Sequence, residues 1–249
     1  MNGKFGESSK TILLEEFLQG EELSLMSLWD GKNLLHFAPV RDFKKLNKSP
    51  SAPNTGGMGA FCPVKLNTFQ QKKLDEYKKR LQNALENEDA DFVGFIYSGL
   101  IMSKESGSPR DSWDWHVLEY NVRLGDPEAQ ALLMHLKTDF LEILKMALEQ
   151  NLDKIKIEYN EDVSACLVLA CEGYPKTPKD GKKIFIPEEN RDIKIFYSGI
   201  AEIDGQLYSK GGRVLSLCTT SQDPFWELKK FAKTIEMENK YFRTDIEVR

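Results

Sequence analysis

The stretch WHVLEYNVRLGDPE, residues 115–128, decides the fold class and the chemistry that the rest of the sequence implies. Its alternation of apolar and polar residues predicts a β-strand over residues 115–124, because successive side chains of a strand point to opposite faces. One face is expected to carry Val117, Glu119, Asn121 and Arg123, and the other Leu118, Tyr120, Val122 and Leu124. Asp126-Pro127-Glu128 follows with the residue types that begin a helix, so the polar face ends where open α/β folds collect their ligands.

The polar face of this strand predicts a site for a divalent cation. A carboxylate at Glu119 and an amide oxygen at Asn121 are hard oxygen ligands, which suit a Mg²⁺ ion that keeps its other positions for water and phosphates. Arg123 could bind the same phosphates through its planar guanidinium. The alternative is a solvated surface pair on an amphipathic strand, because an E-x-N-x-R triplet has little specificity alone.

A second stretch with candidate binding residues is LLEEFLQGEELS, residues 13–24. The chain is expected to form a strand over ILLEEFL, residues 12–18, then a glycine turn and a second strand. An extended backbone from Glu16 to Leu18 could bind a purine edge, and Glu22 a ribose diol. An acidic hairpin tip that serves solubility is the alternative.

The glycine-rich stretch PNTGGMGA, residues 53–60, fits neither the phosphate loop G-x-x-x-x-G-K-[ST] nor a G-x-G-x-x-G turn that opens a helix. Its glycines, flanked by Asn54 and Thr55, could present backbone N–H donors to an anion. They could equally provide a loop with positive φ angles. The charged segment 41–45 lies upstream, and a solvated loop is the simpler interpretation of it.

The remaining pattern predicts an α+β chain. Hairpin strands around Asp30-Gly31, a helix over about 68–88, strands at 92–102 and 115–124, and helical segments from 126 to about 151 form a mixed first region. From about residue 161 the sequence predicts short strands followed by one helix from Asp223 to Glu238. We therefore expect a domain boundary between residues 157 and 158.

Composition limits the class of partner. The chain has 34 lysines and arginines against 39 acidic residues, with a net charge of −5 and no basic stripe, which argues against nucleic acid. No apolar run approaches the length of a membrane span, and no signal peptide is recognised, so small-molecule partners and a cytoplasmic location are expected. The four cysteines lack metal-site spacing and are expected to be buried thiols.

Several motifs together carry a family resemblance. LLEEFLQGEELS, PNTGGMGAFCPV, IYSGLIM and LEYNVRLGDPEAQ resemble, in order and spacing, the phosphoribosylamine–glycine ligase family of ATP-grasp enzymes. VLACEGYP, YSGIAEIDGQLYSKGGRVLSL and YFRTDIEVR resemble the C-terminal domain of that family. The resemblance implies an ATP-grasp large lobe of mixed or antiparallel sheet with packed helices over residues 1–157. A small β-rich C-terminal domain over residues 158–249 would follow.

The resemblance also implies a reaction and a set of site residues. The family joins the carboxylate of glycine to the amine of 5-phosphoribosylamine, with ATP forming a glycyl phosphate and with ADP and phosphate as products. By residue type and position, Glu119 and Asn121 would hold Mg²⁺ or Mn²⁺, Glu15, Glu16 and Leu18 would contact adenine, and Glu22 would bind ribose. Arg123, Asn54, Gly56, Gly57 and Asp42 would line the place where the chemistry occurs.

The chain also departs from the family. The usual Q-D-H-K-R segment reads Arg41-Asp42-Phe43-Lys44-Lys45, and the loop over residues 103–115 is longer than expected, without an evident carboxylate for a second metal position. The family's N-terminal domain and phosphate-covering lobe have no counterpart in these residues, so the chain alone is expected to be inactive or very weak, with that N-terminal part as its partner. Two alternatives stay open: a non-catalytic remnant or partner-binding fragment, and another ATP-grasp carboxylate–amine ligase.

Overall fold

A computed structural model describes residues 6, 10–104, 113–188 and 192–248. Its strands are β1 (Glu21–Trp29), β2 (Leu34–His36), β3 (Arg41–Asp42), β4 (Gly59–Cys62), β5 (Gly94–Lys104), β6 (Trp113–Asn121), β7 (Val163–Cys171), β8 (Lys183–Phe185), β9 (Lys194–Tyr197), β10 (Ile200–Ile203), β11 (Gln206–Ser209), β12 (Arg213–Ser221), β13 (Glu236–Met237) and β14 (Lys240–Tyr241). Its α-helices are α1 (Thr68–Asn87), α2 (Glu128–His135), α3 (Phe140–Leu148) and α4 (Pro224–Thr234). The expected α+β class is confirmed.

The first sheet is antiparallel, in the order β2-β1-β5-β6, and carries the predicted metal-binding strand at one edge. The Asp30-Gly31 turn joins β1 and β2 as expected, because the Asp30 carboxylate accepts hydrogen bonds from the backbone N–H groups of Lys32 and Asn33. Helix α1 packs its buried Leu74, Tyr77 and Leu81 with the apolar residues of one face of this sheet. The opposite face of β6 is therefore left to form a cavity wall.

The second sheet crosses the expected domain boundary. It has the order β3-β4-β7-β12-β9, with β14 also paired to β7. Gly59–Cys62 of the first region pairs antiparallel with residues 164–167 of the second. The division at residues 157 and 158 stays a prediction, and the chain on either side of it shares one sheet.

The C-terminal region adds the small sheet β10-β11-β8-β13 and helix α4. As expected from Asp223-Pro224, the Asp223 carboxylate accepts a hydrogen bond from the N–H of Trp226 and α4 begins there. The helix ends at Thr234 rather than near Glu238, because residues 236–237 pair with β8.

The prediction of a strand over residues 12–18 is wrong. Residues 12–18 have no assigned secondary structure, and no described strand pairs with them to satisfy their backbone groups. The apolar side chains of Ile12, Leu13, Leu14 and Phe17 are 54–86% exposed. The apolar residues of this segment therefore predicted a strand where the chain is extended and exposed.

One face assignment on β6 is also wrong. Glu119 lies opposite Gly99, but Val117 lies opposite Leu100, so the register shifts by one residue and Leu118 is the extra residue of a β-bulge. Because of this bulge, the Val117 side chain lies on the face of the sheet that packs against α1. Leu118 instead lines a cavity beside Glu119. The expectation that all four polar-face residues align holds only from Glu119 onward.

The helix expected over about 68–88 and the helical segments expected from 126 to about 151 are confirmed, and the four cysteines are free and buried as expected. Most of the long loop before β6, residues 105–112, lies outside the described residues. No helix in the described ranges is both long and apolar enough to cross a membrane.

Candidate functional site

The end of β6 and the glycine loop, residues 53–60, both line one cavity of about 200 Å³. The β6 wall contributes Glu119 and Asn121, followed in the chain by Arg123. Thr55 and Gly56 contribute the loop wall. Two of the motifs that carry the family resemblance are thus brought together by the fold, although 62 residues separate Gly57 from Glu119 in the sequence.

Glu119 and Asn121 are held on the cavity face by strand pairing. Asn121 lies opposite Tyr97 and Glu119 opposite Gly99, so both share the face from which Tyr97 reaches into the cavity. A Cβ on Gly99 would lie 3.0 Å from Cγ of Glu119, so the absence of a side chain there admits the glutamate stem.

A buried polar cluster lies at the base of the cavity. The side chain of Asp42 is 5% exposed, and its Oδ2 accepts an ion-paired hydrogen bond from Lys44 Nζ at 3.1 Å. The Tyr97 hydroxyl donates to Glu128 Oε1 at 2.9 Å, and the Ser24 hydroxyl donates to the same oxygen at 3.0 Å. Asp42 Oδ1 is buried and has no hydrogen-bond partner among the described residues.

The cluster shifts the protonation equilibria of its members. Burial and the nearby charge of Glu128 raise the pKa of Asp42 to about 7, although Lys44 opposes this shift. Burial would lower the pKa of Lys44, but the charges of Asp42, Tyr97 and Glu128 outweigh burial and raise it. Burial and the charge of Glu128 raise the pKa of Tyr97 to about 12. A proton at Asp42 is therefore exchangeable near neutral pH.

The glycine loop does not offer the free N–H donors that its sequence suggested. The N–H of Gly56 donates to the Tyr174 hydroxyl at 2.9 Å, and the N–H of Gly57 donates to Thr55 Oγ1 at 3.0 Å. A Cβ on Gly57, whose φ is +107°, would lie 2.3 Å from Cδ of Pro127 and 2.9 Å from Asp42 Oδ1. The bare backbone at Gly57 therefore admits the protein's own Pro127 and Asp42.

A larger cavity of about 800 Å³ also borders Asp42 and Lys44. It contains Glu22 and Asn54, so these two predicted site residues lie beside the first cavity rather than inside it. Five cationic side chains face it: Arg41, Lys44, Lys45, Lys65 and Arg243. Glu15 and Glu16 are exposed and Leu18 is half-buried on the extended N-terminal segment, so their assignment to adenine stays a prediction.

Sequence reasoning missed several residues of the site. Glu128 was interpreted only as a first-turn acid of α2, yet it is 3% exposed and bonded to two hydroxyl groups. Tyr97 occupies an apolar strand where nothing in the sequence marks it as polar in function. Arg213 contacts the glycine loop from 156 residues away at Gly57, and local sequence carries no signal for such a contact.

The donor set fits a partly hydrated divalent cation. The described residues contain no group of three or more histidine, cysteine or acidic side chains that could hold a metal. Glu119 and Asn121 supply two oxygen ligands, and within the described ranges neither side chain is engaged in a hydrogen bond or ion pair. Two protein ligands are what Mg²⁺ commonly takes when phosphates and water complete its coordination.

Comparison with known proteins gives two family matches. The family model described as "Phosphoribosylglycinamide synthetase, ATP-grasp (A) domain" matches residues 1–129, and "Phosphoribosylglycinamide synthetase, C domain" matches residues 164–249. The first match includes the glycine loop and the predicted metal-binding residues Glu119 and Asn121, and the second includes Tyr174 and Arg213.

Individual relatives agree with these matches. A phosphoribosylamine–glycine ligase of Caldanaerobacter subterraneus is 35% identical over 97% of this chain and 57% of the relative. One from Vigna unguiculata is 34% identical over 90% of this chain and 72% of the relative. The crystal structure of phosphoribosylamine–glycine ligase from Thermotoga maritima has a TM-score of 0.75 at 36% identity, covering 93% of this chain and 57% of that one. The chain thus spans little more than half the length of most of these proteins.

Proposed function

Because the chain belongs to the phosphoribosylglycinamide synthetase family, we propose that it supplies one part of an ATP-dependent ligase that joins glycine to 5-phosphoribosylamine. The observation that carries this proposal is the common cavity of Glu119, Asn121, Arg123 and the glycine loop, with buried Asp42 at its base. The products would be glycinamide ribonucleotide, ADP and phosphate.

Each residue would have a distinct task in this reaction. Glu119 and Asn121 would hold a divalent cation, Mg²⁺ or Mn²⁺, which neutralises charge on the nucleotide phosphates when bound. Arg123, which follows β6 in the same cavity, would bind phosphoryl oxygens. Thr55 and Gly56 would limit the space beside the glycyl group.

Asp42 would accept the proton that the amine loses. As the amine nitrogen bonds to the carbonyl carbon, the bond from that carbon to the phosphate oxygen breaks, and the nitrogen releases one proton. The unpartnered Asp42 Oδ1 offers a site for it, and a carboxyl whose pKa burial has raised is a stronger base than an exposed one. Lys44 beside Asp42 would stabilise the charged form before the transfer.

For nucleotide we propose the larger cavity together with the extended N-terminal segment. Glu22 borders the larger cavity and would bind the ribose, and residues 15–18 would contact adenine. The exposed Leu13, Leu14 and Phe17 support a further proposal, that the N-terminal portion found in longer relatives covers this segment as a partner. We place the assembled protein in the cytoplasm.

Calorimetric titration of the chain with Mg²⁺-ATP and Mn²⁺-ATP tests the metal and nucleotide parts of the proposal. Glu119→Gln should weaken the affinity at least tenfold, because an amide oxygen carries no net charge toward the cation. Glu202→Gln, an exposed acid in β10, serves as the control and should leave the affinity unchanged. An absence of heat at millimolar nucleotide would favour a non-catalytic remnant.

Activity is tested by adding the N-terminal portion of the Caldanaerobacter relative to this chain. ADP release should depend on glycine, on 5-phosphoribosylamine and on both polypeptides. If ADP appears only with a different amine acceptor, the chain is another ATP-grasp carboxylate–amine ligase. If no ADP appears with any acceptor, the catalytic proposal is wrong.

A further inference from the structure

The glycine loop is held from the C-terminal region through both backbone polar groups of one residue, Gly56. Gly56 donates its N–H to the Tyr174 hydroxyl at 2.9 Å and accepts a hydrogen bond at its carbonyl from Arg213 Nη1 at 2.6 Å. A Cβ on Gly56 would lie 3.1 Å from Cζ of Arg213, so the guanidinium lies directly against the glycine backbone.

The same guanidinium binds the other wall of the cavity. Arg213 Nη1 donates to the carbonyl of Asp126 at 2.9 Å, and Nη2 forms an ion pair with Asp126 Oδ2 at 3.1 Å. Asp126 lines the cavity two residues before Glu128, the acid that accepts hydrogen bonds from Ser24 and Tyr97. One side chain therefore fixes both the loop and the start of α2.

Local backbone explains why Arg213 and Tyr174 reach this place. The pairing of β12 with β7 shifts by one residue between Arg213 and Leu215, so Val214 forms a bulge that ends the regular ladder. A Cβ on Gly212 would lie 2.3 Å from Cδ2 of Tyr174, so the ring occupies the space that a side chain at 212 would fill. The glycine before Arg213 thus admits the tyrosine that completes the contact.

We propose that Arg213 is a positioning residue for the ligase site, and that with Tyr174 it sets the distance between the glycine loop and the metal-binding end of β6. The expected effect of this inference on nucleotide binding rests on the proposed function, but the contacts of Arg213 with the glycine loop do not. The side chain of Arg213 is only 22% exposed, and both of its terminal nitrogens are engaged in hydrogen bonds to the glycine loop and to Asp126. Loss of this contact should loosen the loop and weaken nucleotide binding without unfolding the chain.

Hydrogen–deuterium exchange of the full chain tests the contact, and affinity for Mn²⁺-ATP tests its consequence. In Arg213→Ala, the amides of residues 54–58 should exchange at least tenfold faster and the affinity should drop at least fivefold. Arg213→Lys should recover part of both effects, because one ammonium can replace one of the hydrogen bonds. Arg80→Ala, which removes an ion pair between α1 and Asp114 of β6, is the matched control and should change neither quantity.

Tyr174→Phe separates positioning from general stability. It keeps the ring on Gly212 and removes only the acceptor for the Gly56 N–H, so exchange at Gly56 should rise while the melting temperature stays within a few degrees of the parent. If loop exchange is unchanged in both Tyr174→Phe and a folded Arg213→Ala, the inference is wrong. Equal nucleotide affinity of parent and Arg213→Ala would also overturn it.

The outcomes distinguish this inference from the proposed function. If the parent chain binds no Mn²⁺-ATP, the nucleotide part of the proposed function fails, and the exchange measurement alone decides whether Arg213 holds the loop. If the parent binds nucleotide and loop exchange does not respond to either substitution, the proposed function stands and the positioning role fails.

Discussion

At the scale of single residues, Asp42 shows how burial gives an ordinary residue type an unusual property. Its neighbours are a cation, Lys44, and a second buried acid, Glu128. Desolvation and the acid favour the protonated form, and the cation opposes them. The charged segment 41–45 gave no indication from sequence of which of its acids and bases would be buried.

The stability of the chain should depend on pH through Asp42. A carboxyl whose pKa is raised in the folded state contributes stability that is present below its unfolded pKa, about 3.9, and is lost as pH rises through about 7. Relative to Asp42→Asn, the parent should therefore lose roughly 1–4 kcal/mol of unfolding free energy between pH 4 and pH 8. Urea denaturation at several pH values measures this difference.

Asp91→Asn, a change at an exposed acid, is the control for Asp42→Asn and should give a pH profile parallel to that of the parent. Parallel profiles for Asp42→Asn and the parent would contradict the burial argument. They would also remove the support for Asp42 as a proton acceptor.

Gly57 is the residue at which the loop cannot carry a side chain. Its φ of +107° disfavours other residues, and its missing Cβ leaves space for Pro127 and Asp42. Gly57→Ala should destabilise the chain by roughly 2–4 kcal/mol, through backbone strain and steric overlap together.

Gly181→Ala provides the matched comparison for Gly57→Ala. Gly181 also has a positive φ, +75°, but nothing lies within 4 Å of the position of its Cβ, so only the strain of roughly 1–2 kcal/mol should appear. Chemical denaturation of both variants measures the two costs. Equal costs would mean that the contact with Pro127 and Asp42 relaxes freely.

At the scale of elements, α1 is the part of the fold that sequence predicts best. Asn67 forms a capping box with Gln70, in which each side chain accepts from the other's backbone N–H. Asn67→Ala should cost about 1 kcal/mol of stability, measured by urea denaturation. Asn87→Ala, at the last residue of the same helix, lacks a cap and should change stability by less than about 0.5 kcal/mol.

Strands were harder to predict than α1 for two physical reasons. Residues 12–18 are rich in apolar residues, as a strand often is, yet a strand needs a neighbour to satisfy its backbone, and the described chain gives this segment none. On β6, the pattern predicts a regular pleat, but a bulge between Val117 and Glu119 depends on the pairing with β5. Neither the neighbour nor the bulge is encoded locally.

At the scale of the whole molecule, the first and second regions are joined by a shared sheet and shared cores. Trp115 of β6 and Phe225 of α4 belong to one connected set of buried apolar residues. The backbone of Gly56 in the glycine loop also meets the C-terminal side chains of Tyr174 and Arg213. The region matched by the second family model, residues 164–249, therefore packs against the region matched by the first and contacts its glycine loop.

This connectivity predicts one cooperative unfolding transition for the chain. Leu217→Ala, which creates a cavity beside the buried strand β12, should lower the free energy of unfolding by roughly 2–5 kcal/mol. The melting temperature should fall equally when followed by tryptophan fluorescence and by far-ultraviolet circular dichroism. Leu148→Ala, at the exposed end of α3, is the control and should change little. Two separated transitions would show that the regions unfold independently.

The sequence by itself determined the α+β class, the helices, the buried cysteines and the presence of an acid and an amide on one strand, because these follow from periodicity and residue chemistry over short distances. Only the tertiary structure decided that Glu119 and Asn121 meet the glycine loop, that Asp42 and Glu128 are buried together, and that Arg213 and Tyr174 hold Gly56. Those contacts join residues far apart in the chain. Their partners depend on strand register and sheet order, which local patterns do not specify.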